Sequence, residues 1–214
     1  MPLDIKICGL KTPEALDAAL RGGASHVGFI FFPRSPRNIE PAAAGALREA
    51  ARGKARAVAV TVDADDAFLD AIVAKMAPDM LQLHGSETPE RLEAVRARYR
   101  LPVMKALPVS DPSDLGKAKS FAGVADRLLF DAKPPKGSEL PGGNGVAFDW
   151  TLLKTFPGGI DYMLSGGLNP ANVGEALRLA DPPGLDVSSG VESAPGVKDV
   201  GLIRRFFDAV KAAR

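Results

Sequence analysis

The sequence predicts an α/β fold: a closed (β/α)8 TIM barrel forming a single domain over residues 1–214. Three observations carry this expectation. Short apolar or β-branched runs alternate with longer Ala/Leu/Arg segments of helical period. Eight such runs start near residues 3, 26, 55, 79, 102, 125, 160 and 184, at intervals of 23, 29, 24, 23, 23, 35 and 24 residues, close to the length of a βα unit. The chain is long enough to bury a substantial core and shows no domain linker or low-complexity tract. A doubly wound open sheet competes with the barrel. It usually needs fewer units, and no Gly-x-Gly-x-x-Gly follows the first run.

In order, strands are expected at Leu3–Cys8, His26–Phe32, Ala55–Val62, Asp79–His84, Pro102–Pro108, Ala125–Asp131, Ile160–Gly166 and Gly184–Ser189. Helices fill the gaps. Thr12-Pro13-Glu14 reads as N-cap, first helical position and early acid, Leu16, Ala19 and Leu20 follow at helical spacing, and Gly22-Gly23 ends the run. Thr88-Pro89-Glu90 repeats the cap, and Asn169-Pro170 repeats it ahead of Val173, Ala176, Leu177 and Ala180. A sixth helix is expected after Trp150, anchored by that indole. A last helix, about Asp199 to Ala213, carries Leu202, Ile203, Phe206 and Val210 on one face.

Composition narrows the function classes. Lys and Arg number 27 against 26 Asp and Glu, for a net charge of +1, so nothing favours nucleic acid or an anionic membrane. No apolar stretch approaches a membrane span, and the first run carries Asp4 and Lys6, unlike a secretory segment. The one cysteine suits a reducing cytoplasm. The two histidines and the cysteine stand far apart, with no metal-ligand spacing, so no metal is expected.

In such a barrel the functional face is at the C-terminal ends of the strands. Cys8 ends the first strand and is followed by Gly9. A lone cysteine is commonly a small buried hydrophobe, but this address also suits a thiol facing a ligand. If Cys8 faces the barrel axis so do Lys6 and Asp4, while Ile5 and Ile7 face the helices, and Lys6 then favours the thiolate. Asp131 ends the sixth strand. It reads as a cap, a loop acid, or a catalytic acid at the edge of a dry site made by Leu128-Leu129-Phe130. If Asp131 faces inward, Leu129 does too.

The seventh and eighth strands end in Ser165-Gly166-Gly167 and Ser188-Ser189-Gly190. Glycine lets backbone N–H groups approach phosphate oxygens, and serine hydroxyls add donors, so this pair of loops points to a phosphorylated small molecule. Arg37, in a loop stiffened by Pro33 and Pro36, is a solvated arginine or a carboxylate clamp. The Gly/Pro-rich run Ala132–Phe148 follows Asp131 directly and reads as a lid. His84, at the end of the fourth strand, reads as structural or, second, as a ligand contact; His26, at the opposite face, reads as structural.

Taken in order, these pieces resemble the phosphoribosylanthranilate isomerase family of tryptophan biosynthesis. The match runs through Lys6-Ile7-Cys8-Gly9-Leu10, Val27-Gly28-Phe29-Ile30-Phe31 with Arg37, Leu81-Gln82-Leu83-His84-Gly85, Leu129-Phe130-Asp131, Phe148-Asp149-Trp150, Leu164-Ser165-Gly166-Gly167-Leu168-Asn169-Pro170 and Asp186-Val187-Ser188-Ser189-Gly190-Val191-Glu192. The resemblance implies an Amadori rearrangement of N-(5-phosphoribosyl)anthranilate to 1-(o-carboxyphenylamino)-1-deoxyribulose 5-phosphate without a cofactor. It implies Cys8 as general base, Asp131 as general acid, Arg37 on the anthranilate carboxylate, and Gly166, Gly167, Ser188, Ser189 and Gly190 on the phosphate. A cytoplasmic monomer or homodimer is expected. The competing readings are another phosphosugar isomerase or epimerase, and a non-catalytic barrel that binds phosphorylated metabolites.

Overall fold

The structure, a computed structural model, describes residues 3–135, 137–138, 140–156 and 159–214. Positions 136 and 139 of the expected lid lie outside the described residues.

Eight parallel strands close into a barrel in sequential order: β1 (Asp4–Cys8), β2 (His26–Phe31), β3 (Arg56–Thr61), β4 (Met80–Leu83), β5 (Val103–Val109), β6 (Arg127–Ala132), β7 (Tyr162–Leu164) and β8 (Gly184–Val187). Closure is set at β1, where Lys6 stands opposite His26 on one side and Asp186 on the other. All eight expected strands are present; most are shortened where the chain turns into loops, while β5 and β6 start later and run one residue past their expected ends, to Val109 and Ala132. The open-sheet alternative is excluded by the β1–β8 ladder.

Strand alternation sorts the side chains into two layers. Cys8, Val58, Val60, Met80, Met104, Ala106, Leu129 and Met163 pack along the axis. Ile5, Ile7, Leu128 and Phe130 instead join the larger layer between strands and helices. The inward placement expected for Cys8 and Leu129 is therefore met.

The outer helices are α1 (Pro13–Gly22), α2 (Pro41–Ala51), α3 (Asp66–Met76), α4 (Pro89–Tyr99), α5 (Pro112–Gly116), α6 (Val173–Ala180) and α7 (Val200–Ala212). Thr12 and Thr88 cap as expected, accepting from the Ala15 and Arg91 amides, each at 3.3 Å. Asp199 caps α7 through the Leu202 amide at 2.7 Å. The α7 face also buries Phe207, whose ring lies so close to α1 that a Cβ on Gly22 would fall 2.1 Å from it. Gly22 thus permits the contact between first and last helices that completes the outer ring.

Two helix expectations need correction. The sixth is only a 3-10 turn, Trp150–Thr155. Phe156 precedes Pro157 in sequence, and proline forces its predecessor out of the helical region; Phe156 is extended, with ψ at 122°. Trp150 is buried there nonetheless. The helix expected from Asn169-Pro170 begins only at Val173, because Asn169 uses its side chain on the Ala171 amide and caps a turn instead.

Candidate active site

The strand ends converge as the barrel rule requires. One cavity of about 70 Å³ is lined by Cys8, Arg37, Asp131, Gly166, Gly167, Ser188 and Ser189. Gly166 and Gly167 have positive φ, 85° and 65°, which suits glycine alone at no steric cost. Gly190, also expected here, is not part of the lining. A Cβ on it would stand 1.8 Å from the Leu168 carbonyl oxygen, so its role is to let the seventh and eighth loops touch. No cluster of three His, Cys, Asp or Glu side chains able to hold a metal occurs among the described residues. No helix among them is long and apolar enough to cross a membrane.

Cys8 is 4 % exposed, and its Sγ rests against Gly28, where a Cβ would come within 2.9 Å. Beneath it Lys6 is fully buried and donates to Asp186 Oδ1 at 2.8 Å. Burial pushes the Cys8 thiol up; the Lys6 charge opposes this, and the Asp186 charge works against Lys6. The expectation that Lys6 favours the thiolate is met in sign but outweighed, because Asp186 engages the ammonium and the site is dry. Lys6 itself is also held protonated: burial acts against its charge, but the Asp186 charge, with a smaller share from Cys8, prevails.

Arg37 is buried rather than solvated. Its Nε and Nη2 donate to the two Glu192 carboxylate oxygens at 2.8 and 2.9 Å. Glu192 opens a short antiparallel hairpin, β9 (Glu192–Ala194) with β10 (Val197–Lys198), that follows β8. Lys198, buried like Arg37, donates to Glu192 Oε1 at 2.7 Å and to the Ser188 carbonyl at 2.9 Å. Glu192 takes one edge of the guanidinium. On the other edge Nη2 also donates to the Gly143 carbonyl at 3.3 Å, and a Cβ on Gly143 would lie 2.6 Å from Nη1. A planar fork held on one edge presents the other in a fixed direction, as a carboxylate clamp requires.

Asp131 is 6 % exposed, and its Oδ1 accepts from the Ala132 amide at 2.9 Å. Its Oδ2 lies 3.3 Å from His84 Nε2. His84 therefore belongs to the functional face, which favours the second of the two readings expected of it over the structural one. The signal available in sequence was its position just beyond the fourth strand. His26, at the opposite end of β2, is structural as expected: it pairs with Ser25 Oγ at 2.8 Å, and burial pushes its imidazole down to about 4.

Residues 140–146 line the same cavity and lie over Cys8, Arg37 and Asp131, the position expected of a lid. Sequence reasoning gave Lys6 its place beneath Cys8 but left Gln82, Asp186 and Glu192 without a role in the site.

Comparison with known proteins is consistent along the whole chain. Residues 5–209 match the family model described as N-(5'phosphoribosyl)anthranilate (PRA) isomerase. The chain is 73 % identical over 214 residues to N-(5'-phosphoribosyl)anthranilate isomerase of Mesorhizobium japonicum, covering all of this chain and 98 % of that one. The crystal structure of phosphoribosyl anthranilate isomerase from Thermus thermophilus superposes with a TM-score of 0.86 at 35 % identity, covering 99 % of this chain and 100 % of the other. A phosphoribosyl anthranilate isomerase solved in complex with reduced 1-(o-carboxyphenylamino)-1-deoxyribulose 5-phosphate superposes at 0.84 and 31 % identity, with the same coverage. A thiol, a carboxyl, a fixed guanidinium edge and two Ser/Gly loops thus surround one cavity in a barrel alike in sequence and shape from end to end, and the chain belongs to the N-(5'-phosphoribosyl)anthranilate isomerase family.

Proposed function

We propose that this chain catalyses the Amadori rearrangement of N-(5'-phosphoribosyl)anthranilate in tryptophan biosynthesis, with Asp131 as general acid and Cys8 as general base. The observation that carries the reading is that both groups, from β6 and β1, line one cavity together with Arg37 and the Ser/Gly loops. Asp131 protonates the furanose ring oxygen, and the ring opens to a protonated Schiff base. The cationic nitrogen acidifies the neighbouring carbon, and Cys8 removes its proton as the thiolate. The enolamine then tautomerises to the ketone. One sugar carbon is oxidised as its neighbour is reduced, so the rearrangement balances without an external oxidant or reductant.

Arg37 holds the anthranilate carboxylate on its Nη1–Nη2 edge, in place of the Gly143 carbonyl that Nη2 meets in this structure. Gly166, Gly167, Ser188 and Ser189 hold the phosphate, with Gly190 keeping their loops together. The phosphate is remote from the bonds that change, so its binding energy positions the sugar between acid and base. Residues 140–146 lie over the cavity, so entry and release go with their lifting. We place the enzyme in the cytoplasm as one domain over residues 1–214, acting as a monomer or homodimer on a phosphorylated small molecule, without nucleic acid or membrane partners.

The test is complementation of a tryptophan auxotroph lacking this step, joined to kinetics of two variants. Cys8→Ser and Asp131→Asn should each lose about 10²–10⁴-fold in turnover, the range supplied by a positioned acid or base, while still binding a reduced product analogue. Wild-type turnover in either variant overturns that residue's role. Failure of the folded wild-type protein to complement overturns the function.

A further inference from the structure

We infer that His84 is a positioning residue for Asp131, and that Gln82 sets the tautomer in which it works. The inference deepens the proposed function and rests on Asp131 being the acid. Gln82 and His84 are two residues apart on and just beyond β4, so their side chains leave the same face of the strand. The Gln82 amide nitrogen lies 2.9 Å from His84 Nδ1. An amide N–H can only donate, so Nδ1 must be the unprotonated nitrogen. The ring proton is then on Nε2, the nitrogen that stands 3.3 Å from Asp131 Oδ2. The opposite amide orientation would strand both Gln82 N–H bonds in a buried site, where a single unpartnered carbonyl oxygen is the lesser cost.

The carboxyl of Asp131 consequently has a nitrogen beside each oxygen: the Ala132 amide donates to Oδ1, and the imidazole Nε2 stands 3.3 Å from Oδ2. These two neighbours restrict the orientation of the carboxyl. They also meet the negative charge that appears there once the proton has gone to the ring oxygen.

The imidazole is in turn built into a rigid corner. The His84 amide donates to the Thr61 carbonyl at 2.8 Å. Buried Lys105 donates to the carbonyls on either side of His84, Leu83 at 3.4 Å and Gly85 at 2.6 Å, and to Glu87 Oε2 at 2.7 Å. Glu87 accepts from the Gly85 and Asp63 amides, both at 2.9 Å. Over the top, a Cβ on Gly142 would stand 2.6 Å from Asp131 Oδ2 and 2.7 Å from His84 Nε2, so the lid seats directly on this pair.

Gln82 gives the sharpest test, because its unpartnered buried Oε1 makes it a poor contributor to stability. Gln82→Met keeps the volume and removes both the stranded oxygen and the donor to Nδ1. The variant should unfold at or above the wild-type temperature. Its kcat should fall by about ten-fold or more, part of the 10²–10⁴ that a positioned acid supplies, with KM unchanged. A purely structural Gln82 would do the reverse, lowering stability and leaving kcat alone. His84→Gln returns an N–H toward Asp131 and should keep more kcat than His84→Leu.

The tautomer itself is read by a long-range proton–nitrogen correlation spectrum of the protein labelled with nitrogen-15 histidine. Only two histidines are present, and His84→Gln assigns them. A His84 spectrum of the Nδ1–H form, or wild-type kcat in Gln82→Met, overturns the inference. An inactive wild-type enzyme would overturn the proposed function instead, and the spectrum would still decide the tautomer.

Discussion

Glu192 is where stability and substrate recognition meet, and its removal makes a demanding test. Its carboxylate accepts from Arg37 Nε and Nη2, from Lys198 Nζ, and from the Gly196 amide at 3.2 Å. The three charged side chains are only 3–5 % exposed. Glu192→Ala would leave two buried cations facing each other without a counter-ion. Breaking a buried pair by removing one partner costs about 3–5 kcal/mol. For a chain of this size each kcal/mol moves the melting temperature by about 2–4 °C, so Tm should fall by roughly 6–20 °C. The freed Arg37 fork would lose its direction, and KM for the carboxylate-bearing substrate should rise by about ten-fold, or about 1.4 kcal/mol. Thermal unfolding and steady-state kinetics read the two effects.

The pH dependence adds an internal control. Burial pushes the Glu192 carboxyl up, but the Arg37 hydrogen bond and the Lys198 charge outweigh it and hold it below the usual value of 4.5. A depressed acid contributes its stability above that ordinary value and loses it as pH falls through the lowered one. The Tm gap between wild type and Glu192→Gln should therefore be constant from pH 5 to 8, by about 0.5 unit clear of the ordinary value, and narrow in acid. A Tm within about 2 °C of wild type together with an unchanged KM would refute the argument.

Other expectations follow from the same geometry. Burial pushes the Cys8 thiol up, so its thiolate absorbance should develop only above the ordinary thiol value of about 8.5; absorbance already complete at about pH 7 contradicts this reading of the buried thiol. Lys6→Met strands buried Asp186 and removes the cation opposing Cys8. It should cost about 3–5 kcal/mol of stability. It should also move the thiolate absorbance, unambiguous with one cysteine, to higher pH. Gly142→Ala pushes a methyl group against Asp131 and His84 from a half-buried loop. It should lower kcat/KM by about ten-fold with little change in Tm, and equal kcat/KM would show that the lid does not seat on the acid.

The barrel was legible because its signals are local and repeated. Strand patterning, Thr12 and Thr88 caps and the near-constant interval each depend on a few adjacent residues, and eight repetitions left one closed topology. The strand-end rule then brought Cys8, Asp131, Arg37, Ser188 and Ser189 to one face before any contact was known. Errors arose where a neighbour overrode a local signal, as when Pro157 cut the sixth helix to a single 3-10 segment. What only the tertiary structure decided was the set of partners. Arg37 meets Glu192 across 155 positions, Lys6 meets Asp186 across 180, and His84 meets Asp131 across the intervening strand. Buried charges and buried hydrogen bonds are settled by which groups share a desolvated volume, and closing the barrel creates that volume. The lone thiol could be placed from sequence; that burial would outweigh its lysine could not.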